Sequence, residues 1–320
     1  MKLDRKTCIF GTLTILLVAL YLGNTALLVP SQVDERLILA HRGLHQTYSA
    51  ADVGRDDCTA VIIETPVHDY QENTLRSIQA AIELGADINE IDVHPTTDGE
   101  FIVFHDWMVD CRTDGKGVTR EHDTAYLKSL DIGYGYTADG GKTFPFRGKY
   151  IGAMPTLGEV LTAFPEAPFL INLKSNTVLE AHWLTDYLQN QEFQNRERLS
   201  VYGGGDNIPR FSKLNPDIVT LHKATAFTCL KKYLLLGWSG YVPQECHNSY
   251  VPVPKNYQWV IWGWPNRFEK RLKKVGSKAL LMGNFRKGDA NRGIDDTKSI
   301  PANFGGVVWT NRIDIVGPQN

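Results

Sequence analysis

Ionisable side chains close a series of short apolar runs: His41-Arg42, Glu90-Ile91-Asp92, His105-Asp106 and Asn172-Leu173-Lys174. An imidazole titrates ordinarily at about 6.5, so His41 and His105 suit shared base and acid work near neutrality. Glu90 and Asp92 stand two apart, which on a strand sends both side chains to one face. Two carboxylates aimed into one pocket repel unless a cation or a shared proton compensates them. One hard divalent ion with oxygen ligands, Mg2+ or Ca2+, is the natural partner. Arg42 offers a planar fork for phosphate oxygens and Lys174 a point charge. Two imidazoles, two cations and a carboxylate-held metal describe phosphate-ester cleavage, with metal and cations taking up developing charge while the histidines move protons. No Walker-type loop or Gly-x-Ser-x-Gly elbow accompanies them, and Gly203-Gly204-Gly205 is read as the loop after a strand.

Such groups must be carried by elements that converge. Strands are predicted at Leu37–His41, Ile88–Val93, Phe101–His105, Phe169–Lys174, Leu199–Tyr202, Asp217–Leu221, Trp259–Trp262 and Gly306–Thr310, each short, apolar and bounded by Gly, Pro or Asn. Amphipathic helices are predicted at Asn73–Leu84, Thr156–Ala163, Val178–Gln189, Phe227–Leu236 and Asn266–Lys274. This alternation argues α/β with a parallel sheet. Eight strands suggest a closed TIM (β/α)8 barrel, although periodicity alone equally allows an open doubly wound sheet. In either architecture the ligand site lies at the carboxyl ends of the strands, where the ionisable groups fall.

The 320 residues carry a net charge of -2, with 42% hydrophobic and 22% charged side chains, which excludes a disordered tail protein, a fibrous repeat and a polytopic transporter. No basic stripe is present, so no nucleic-acid partner is expected. Met1–Lys6 forms a basic tail. The stretch 7–30 is uncharged and long enough for a membrane-spanning helix of about 20 residues. The expectation is a single-pass anchor with a cytoplasmic N-terminus, leaving 31–320 as one exoplasmic catalytic domain, periplasmic or extracellular. Secretion after signal cleavage is the alternative, against which Asn24-Thr25-Ala26 is a poor small-x-small site. Outside the cytoplasm, Cys58, Cys111, Cys229 and Cys246 allow three disulfide pairings, one being Cys58–Cys111 with Cys229–Cys246, or remain free thiols.

The ordered series Ala40-His41-Arg42-Gly43, Glu72-Asn73-Thr74-Leu75, Gly85-Ala86-Asp87, Glu90-Ile91-Asp92-Val93, Thr97-Asp98-Gly99 and Val103-Phe104-His105-Asp106 resembles the glycerophosphodiester phosphodiesterase family. Arg112–Gly117, Met154–Leu161, Leu173-Lys174 and Gly306–Arg312 extend the likeness, which is dense from His41 to Leu161 and thin from Gln189 to Pro301. The resemblance implies a TIM barrel that hydrolyses glycerophosphodiesters, deacylated or lyso-glycerophospholipids, to sn-glycerol 3-phosphate and an alcohol. It implies His41 and His105 as the acid–base pair and Glu90 and Asp92 as metal ligands. Arg42 and Lys174 are implied as phosphate contacts, with Glu72 orienting Arg42 and substrate; alternatively Glu72 merely belongs to a helix N-cap region.

Two departures stand out. Where the family has a further metal-binding Glu, this chain has Asn172, whose neutral carbonyl would bind a metal with less charge. An inserted loop at about 44–71, carrying Cys58 and His68, replaces a much shorter one; a Cys58–Cys111 bond would clamp it beside the barrel mouth, where it is expected to narrow the substrate pocket. Trp262 and Trp264 are candidate cation–π contacts for a choline-like headgroup, against core packing or a membrane-facing lip. The competing functions are a lipid phosphodiesterase of the sphingomyelinase D type and a non-catalytic phosphate-binding barrel, the latter favoured by Asn172.

Overall fold

The computed structural model describes residues 5–25, 35–49, 53, 54, 57–190, 193, 195–286 and 293–319. Its strands are β1 (Leu37–His41), β2 (Ile88–Pro95), β3 (Phe101–Val103), β4 (Phe169–Leu173), β5 (Leu199–Gly203), β6 (Val219–His222), β7 (Tyr250–Pro254), β8 (Lys278–Met282) and β9 (Val307–Thr310). Neighbours run β6-β5-β4-β2-β1-β9-β8-β7, with β3 off this path against β2. Every pairing along the path is parallel. The result is a (β/α)8 near-barrel. Among the described residues no ladder joins β6 to β7, and Ser249 Oγ donates to the Thr220 carbonyl across that seam at 2.8 Å.

Two strand assignments are corrected. The segment ending in His105 was expected as a parallel barrel strand, but β3 is antiparallel to β2, with Val93 opposite Val103 and Pro95 opposite Phe101. A hairpin folds it back over the top of β2, and an apolar run does not disclose strand direction. The strand expected at Trp259–Trp262 is instead the end of a 3₁₀ helix (Lys255–Val260) and the turn after it. The true strands there are β7 and β8. β7 reads Tyr-Val-Pro-Val-Pro, and proline argues against a central strand because it cannot donate to a ladder. Pro252 and Pro254, two apart, lack their N–H on one and the same edge. The ladder to β8 survives, so that edge faces β6, which accounts for the seam.

Helices α1 (Arg5–Asn24), α2 (Leu75–Glu83), α3 (Thr124–Ser129), α4 (Leu157–Ala163), α5 (Val178–Asn190), α6 (Asn207–Leu214), α7 (Lys223–Leu236), α8 (Asn266–Lys273) and α9 (Ile313–Val316) complete the chain. Most pack outside the sheet: Ile91 and Val93 of β2 meet Ile78, Leu157 and Val160 in one cluster. The inward face holds Leu39, Ile88, Leu170, Tyr202 and Trp309, an apolar plug inside the barrel. One step further along β1, β2 and β4, the same face carries His41, Glu90 and Asn172. The polar site therefore sits directly on this plug.

α1 is a single 20-residue helix whose last turn is tied to the barrel. Asn24 Nδ2 donates to the Trp238 carbonyl at 2.8 Å, and Arg271 Nη2 donates to Asn24 Oδ1 at 3.1 Å. Among the described residues, which include α1 side chains only from Phe10 onward, no helix is long and apolar enough to cross a membrane. The spanning segment expected over 7–30 thus gains no support from the fold. The basic tail up to Asp4, residues 26–30, and parts of the insert (50–52, 55 and 56) lie outside the described residues.

The turn after β1 is the tightest part of the frame. Arg42 and Gly43 both hold left-handed backbone, with φ of 61° and 73°. The Arg42 amide donates to the Glu90 carbonyl, and its own carbonyl accepts from the Asn73 amide. Thr74 and Ser77 form a capping box that fixes the start of α2 beside this turn. A Cβ on Gly43 would lie 2.8 Å from the Ser77 backbone. Gly43→Ala is therefore expected to destabilise the fold by about 1–3 kcal/mol, measured by urea unfolding; an unchanged midpoint would show that the turn relaxes freely.

Candidate active site

β2 is buried along its whole length. Glu90 and Asp92 both point inward from it and are removed from water. Asp92 is surrounded by donors: Lys174 Nζ at 3.4 Å and Asn172 Nδ2 at 2.7 Å reach Oδ1. Asn73 Nδ2 reaches Oδ2 at 3.2 Å. Arg42 Nε also lies 3.2 Å from Oδ2, an ion pair without hydrogen-bond geometry. Burial alone would raise the Asp92 pKa, but Lys174, the histidines and Arg42 hold it well below the usual carboxylate range. Glu90 has one strong partner, the Tyr202 hydroxyl, which donates to Oε1 at 2.6 Å. Its Oε2 is buried without a hydrogen-bond partner. Burial and the neighbouring Asp92 push the Glu90 carboxyl up to about 8.

The two imidazoles are held by opposite kinds of partner. His41 Nδ1 lies 2.6 Å from Asn311 Oδ1. A carbonyl oxygen only accepts, so Nδ1 carries the proton and Nε2 is left as a lone pair, 3.7 Å from Glu90 Oε2. The ring rests on Trp309, with centroids 4.9 Å apart. Burial, then Arg42, lowers the His41 pKa well below its ordinary value. His105 Nδ1 instead faces a carboxylate, Asp106 Oδ1, at 2.7 Å. Arg112 Nε anchors the other Asp106 oxygen at 2.8 Å. Burial lowers His105 too, while Asp92 and Asp106 pull in the opposite direction. Both rings lie in the field of the same Arg42–Asp92 pair.

Glu72 bridges two guanidinium groups, Arg42 Nη1 and Arg112 Nη1, each at 3.2 Å. The N-cap of α2 is Thr74, so Glu72 is a charge bridge rather than a cap. All eight residues singled out from the sequence (His41, Arg42, Glu72, Glu90, Asp92, His105, Asn172 and Lys174) are linked by these contacts or share the same electrostatic field. One expectation is altered. Asn172 was expected only as a weakened metal ligand, but its amide nitrogen is committed to Asp92. Sequence reasoning missed Asp106, Arg112, Asn73, Tyr202 and Asn311, all of which orient the first set. Asp106 had a readable signal, an acid adjacent to a histidine; Asn311 lay within the Gly306–Arg312 stretch without a role assigned to it, and Tyr202 had no signal.

Trp262 and Trp264 are not at this site. Trp262 Nε1 donates to the Leu234 carbonyl at 2.9 Å, and Trp264 stacks on Phe304 at 5.3 Å. Both pack against the outer helical cluster, which corrects their reading as headgroup contacts. Cys58 is disulfide-bonded to Cys111, and Cys229 to Cys246. The first bond joins the insert to the loop that follows His105. His68 accepts from the Gln46 amide within the insert.

Among the described residues no three His, Cys, Asp or Glu side chains converge as a metal cluster. The donors present nevertheless fit one hard cation. Among the described residues Glu90 Oε2 is a buried acceptor with no hydrogen-bond partner, burial and then Asp92 force its carboxyl toward the neutral form, and both groups offer oxygen. Such an ion would be held by two carboxylates and the neutral Asn172 carbonyl.

A model of the Glycerophosphoryl diester phosphodiesterase family matches residues 41–245. A glycerophosphodiester phosphodiesterase of Caldanaerobacter subterraneus is 40% identical over 111 residues, 34% of this chain and 42% of that protein. A lysophospholipase D of Rattus norvegicus is 25% identical over 213 residues, 60% of this chain and 64% of that protein. The chain thus spans less than two thirds of the length of these relatives. Among solved structures, a glycerophosphodiester phosphodiesterase from Agrobacterium tumefaciens superposes with a TM-score of 0.56 at 17% identity, covering 88% of this chain and 99% of that one. An Oleispira antarctica phosphodiesterase in complex with the product sn-glycerol-3-phosphate superposes at 0.53 and 18% identity, covering 88% and 94%. At these identities the likeness is one of fold.

The carboxylate pair has a measurable signature. In the cation-free protein the Glu90 pKa is raised from 4.5 to about 8. Its contribution to stability is then fully present below 4.5 and lost as the pH climbs to about 8. Urea unfolding across that window in chelator should show falling stability. Glu90→Gln, or added Mg2+ or Ca2+, should flatten the slope. A slope indifferent to Glu90→Gln would place the titration elsewhere.

Proposed function

The chain belongs to the glycerophosphoryl diester phosphodiesterase family, and on that premise we propose that it hydrolyses glycerophosphodiesters to sn-glycerol 3-phosphate and an alcohol. The observation that carries this reading is the pair of imidazoles, each locked through Nδ1 and both set in the field of Arg42 and Asp92. A phosphodiester brings one negative charge and two ester oxygens. Arg42 and Lys174 supply the positive charge that recognises it, now engaged with Asp92.

The two histidines take different roles because their partners differ. Asn311 fixes the His41 tautomer, and burial and the Arg42 charge outweigh its hydrogen bond and keep the ring neutral, so His41 accepts a proton of the attacking water at Nε2. Asp106 is anionic and offsets part of the burial that lowers the His105 pKa, so of the two rings His105 is the better placed to carry a proton. His105 is therefore assigned as the acid that protonates the departing alkoxide. Glu72 and Arg112 keep Arg42 and Asp106 in register. A divalent cation held by Glu90 and Asp92 would add Lewis-acid stabilisation of charge on the phosphoryl oxygens.

We further propose that the barrel works outside the cytoplasm, tethered through α1. Two disulfides suit an oxidising compartment. Exposed Phe10, Ile15 and Leu16 would otherwise leave a large apolar surface in water.

The assay is release of sn-glycerol 3-phosphate from glycerophosphocholine, with and without chelator. His41→Ala and His105→Ala are each expected to lower kcat by about 10²–10⁴-fold. A p-nitrophenyl diester of glycerol phosphate, whose leaving group needs no proton, should rescue His105→Ala and not His41→Ala. Rescue of both, or of His41→Ala alone, would reverse or abolish the assignment. Activity lost with His41→Ala but indifferent to chelator would remove the cation and keep the enzyme.

A further inference from the structure

The loops leaving β7 and β8 end in exposed aromatic side chains. Strand carboxyl ends carry the site in this fold, so these loops stand on the edge of the barrel that bears His41 and Lys174. Tyr257 and Trp259 lie in the 3₁₀ helix after β7, and Phe285 lies three residues beyond β8. The loops are not independent. Asn256 Nδ2 donates to the Phe285 carbonyl at 3.1 Å, and the Phe285 amide donates back to Asn256 Oδ1 at 2.9 Å. The rings of Tyr257 and Phe285 sit 6.5 Å apart. Trp259 is 80% exposed, yet its indole N–H is already satisfied by the Asn256 carbonyl at 3.2 Å. A tryptophan whose only polar atom is bonded inward presents its apolar ring outward, and water gains nothing from it.

This rim is continuous with α1. Trp259, Trp262 and Trp264 face Leu17, Leu20 and Tyr21 across a cleft of about 700 Å³. Along α1 the exposed residues include Leu13, Ile15, Leu16, Leu17 and Val18. Consecutive helical positions step by about 100°, so these side chains point all round the helix rather than along one stripe. A protein groove covers one stripe. Lipid covers every face.

We propose that the rim of Tyr257, Trp259 and Phe285, together with α1 and the cleft between them, docks on the acyl region of a lipid bilayer and presents the site to membrane-resident glycerophospholipid. The inference rests on the phosphodiesterase reading above for its substrate and on the exposed apolar surface for its partner. An acyl-bearing phosphodiester in the bilayer then reaches His41 and Arg42 without leaving the lipid, while a deacylated diester needs no such surface.

The test uses the full chain in phosphatidylcholine nanodiscs, with the double variant Trp259→Ser, Phe285→Ser. Hydrolysis of lysophosphatidylcholine in the disc is expected to fall about tenfold or more, in keeping with loss of central aromatic anchors, while hydrolysis of soluble glycerophosphocholine keeps its kcat/KM. A second readout is independent of activity: brominated acyl chains should quench a fluorescence component present in the wild type and missing in Trp259→Phe. Equal losses on both substrates, or no loss on the lipid, would overturn docking, as would quenching that Trp259→Phe leaves unchanged. If the wild type turned over neither substrate, the phosphodiesterase reading would fall and the quenching would still decide the docking.

Discussion

The structure turns on two carboxylates placed on one face of β2, a strand buried at every position. Glu90 and Asp92 share a face because a strand repeats every second residue, and the same repeat puts Ile88 beneath them in the apolar plug. No buried carboxylate pair is stable alone. Asp92 is compensated by Arg42, Lys174 and two asparagine amides, whereas among the described residues Glu90 accepts a hydrogen bond only from the Tyr202 hydroxyl. This asymmetry sorts the pair into one carboxylate held ionised and one driven toward neutrality, and it leaves Glu90 Oε2 as the place where added positive charge gains most.

The compensation also explains the backbone. Arg42 reaches both Asp92 and Glu72 only because the chain turns through left-handed conformations at Arg42 and Gly43, and again at Asn73. Non-glycine residues in that region cost about 1–3 kcal/mol each and persist where surrounding contacts over-determine them. Here the contacts are the capping box of α2 and the cross-bonds between Arg42, Glu90 and Asn73. The strain lies at the site, and the capped helix beneath it keeps it there.

Much of this was legible before any coordinates. The strand ends that carry chemistry were readable because an ionisable group closing an apolar run is improbable in a core unless something compensates it, and β1, β4 and β9 were placed within about a residue. Three things were not legible. The direction of β3 is set by a hairpin over β2, and Phe-Ile-Val reads alike both ways. β7 was hidden by Pro252 and Pro254, whose meaning depends on the open β6 side. Tyr202 and Asn311 act across more than a hundred residues of sequence, a distance over which spacing carries no information. The disulfide choice among three pairings was open for the same reason and is settled by proximity in space.

The insert at about 44–71 is bound to the residues that surround His105. Arg112, which anchors Asp106 and Glu72, also donates through Nη2 to Thr59 at 2.8 Å and through Nη1 to Tyr136. Thr59 belongs to the insert, next to Cys58. The segment is therefore fastened twice to the loop after His105: once covalently through Cys111, and once through the guanidinium that anchors Asp106. A loop added only for shape would need neither fastening. Because Arg112 serves both, displacement of the insert would be felt at Asp106 before it reached the substrate. The insert is thus tied to the guanidinium that holds Asp106 against His105.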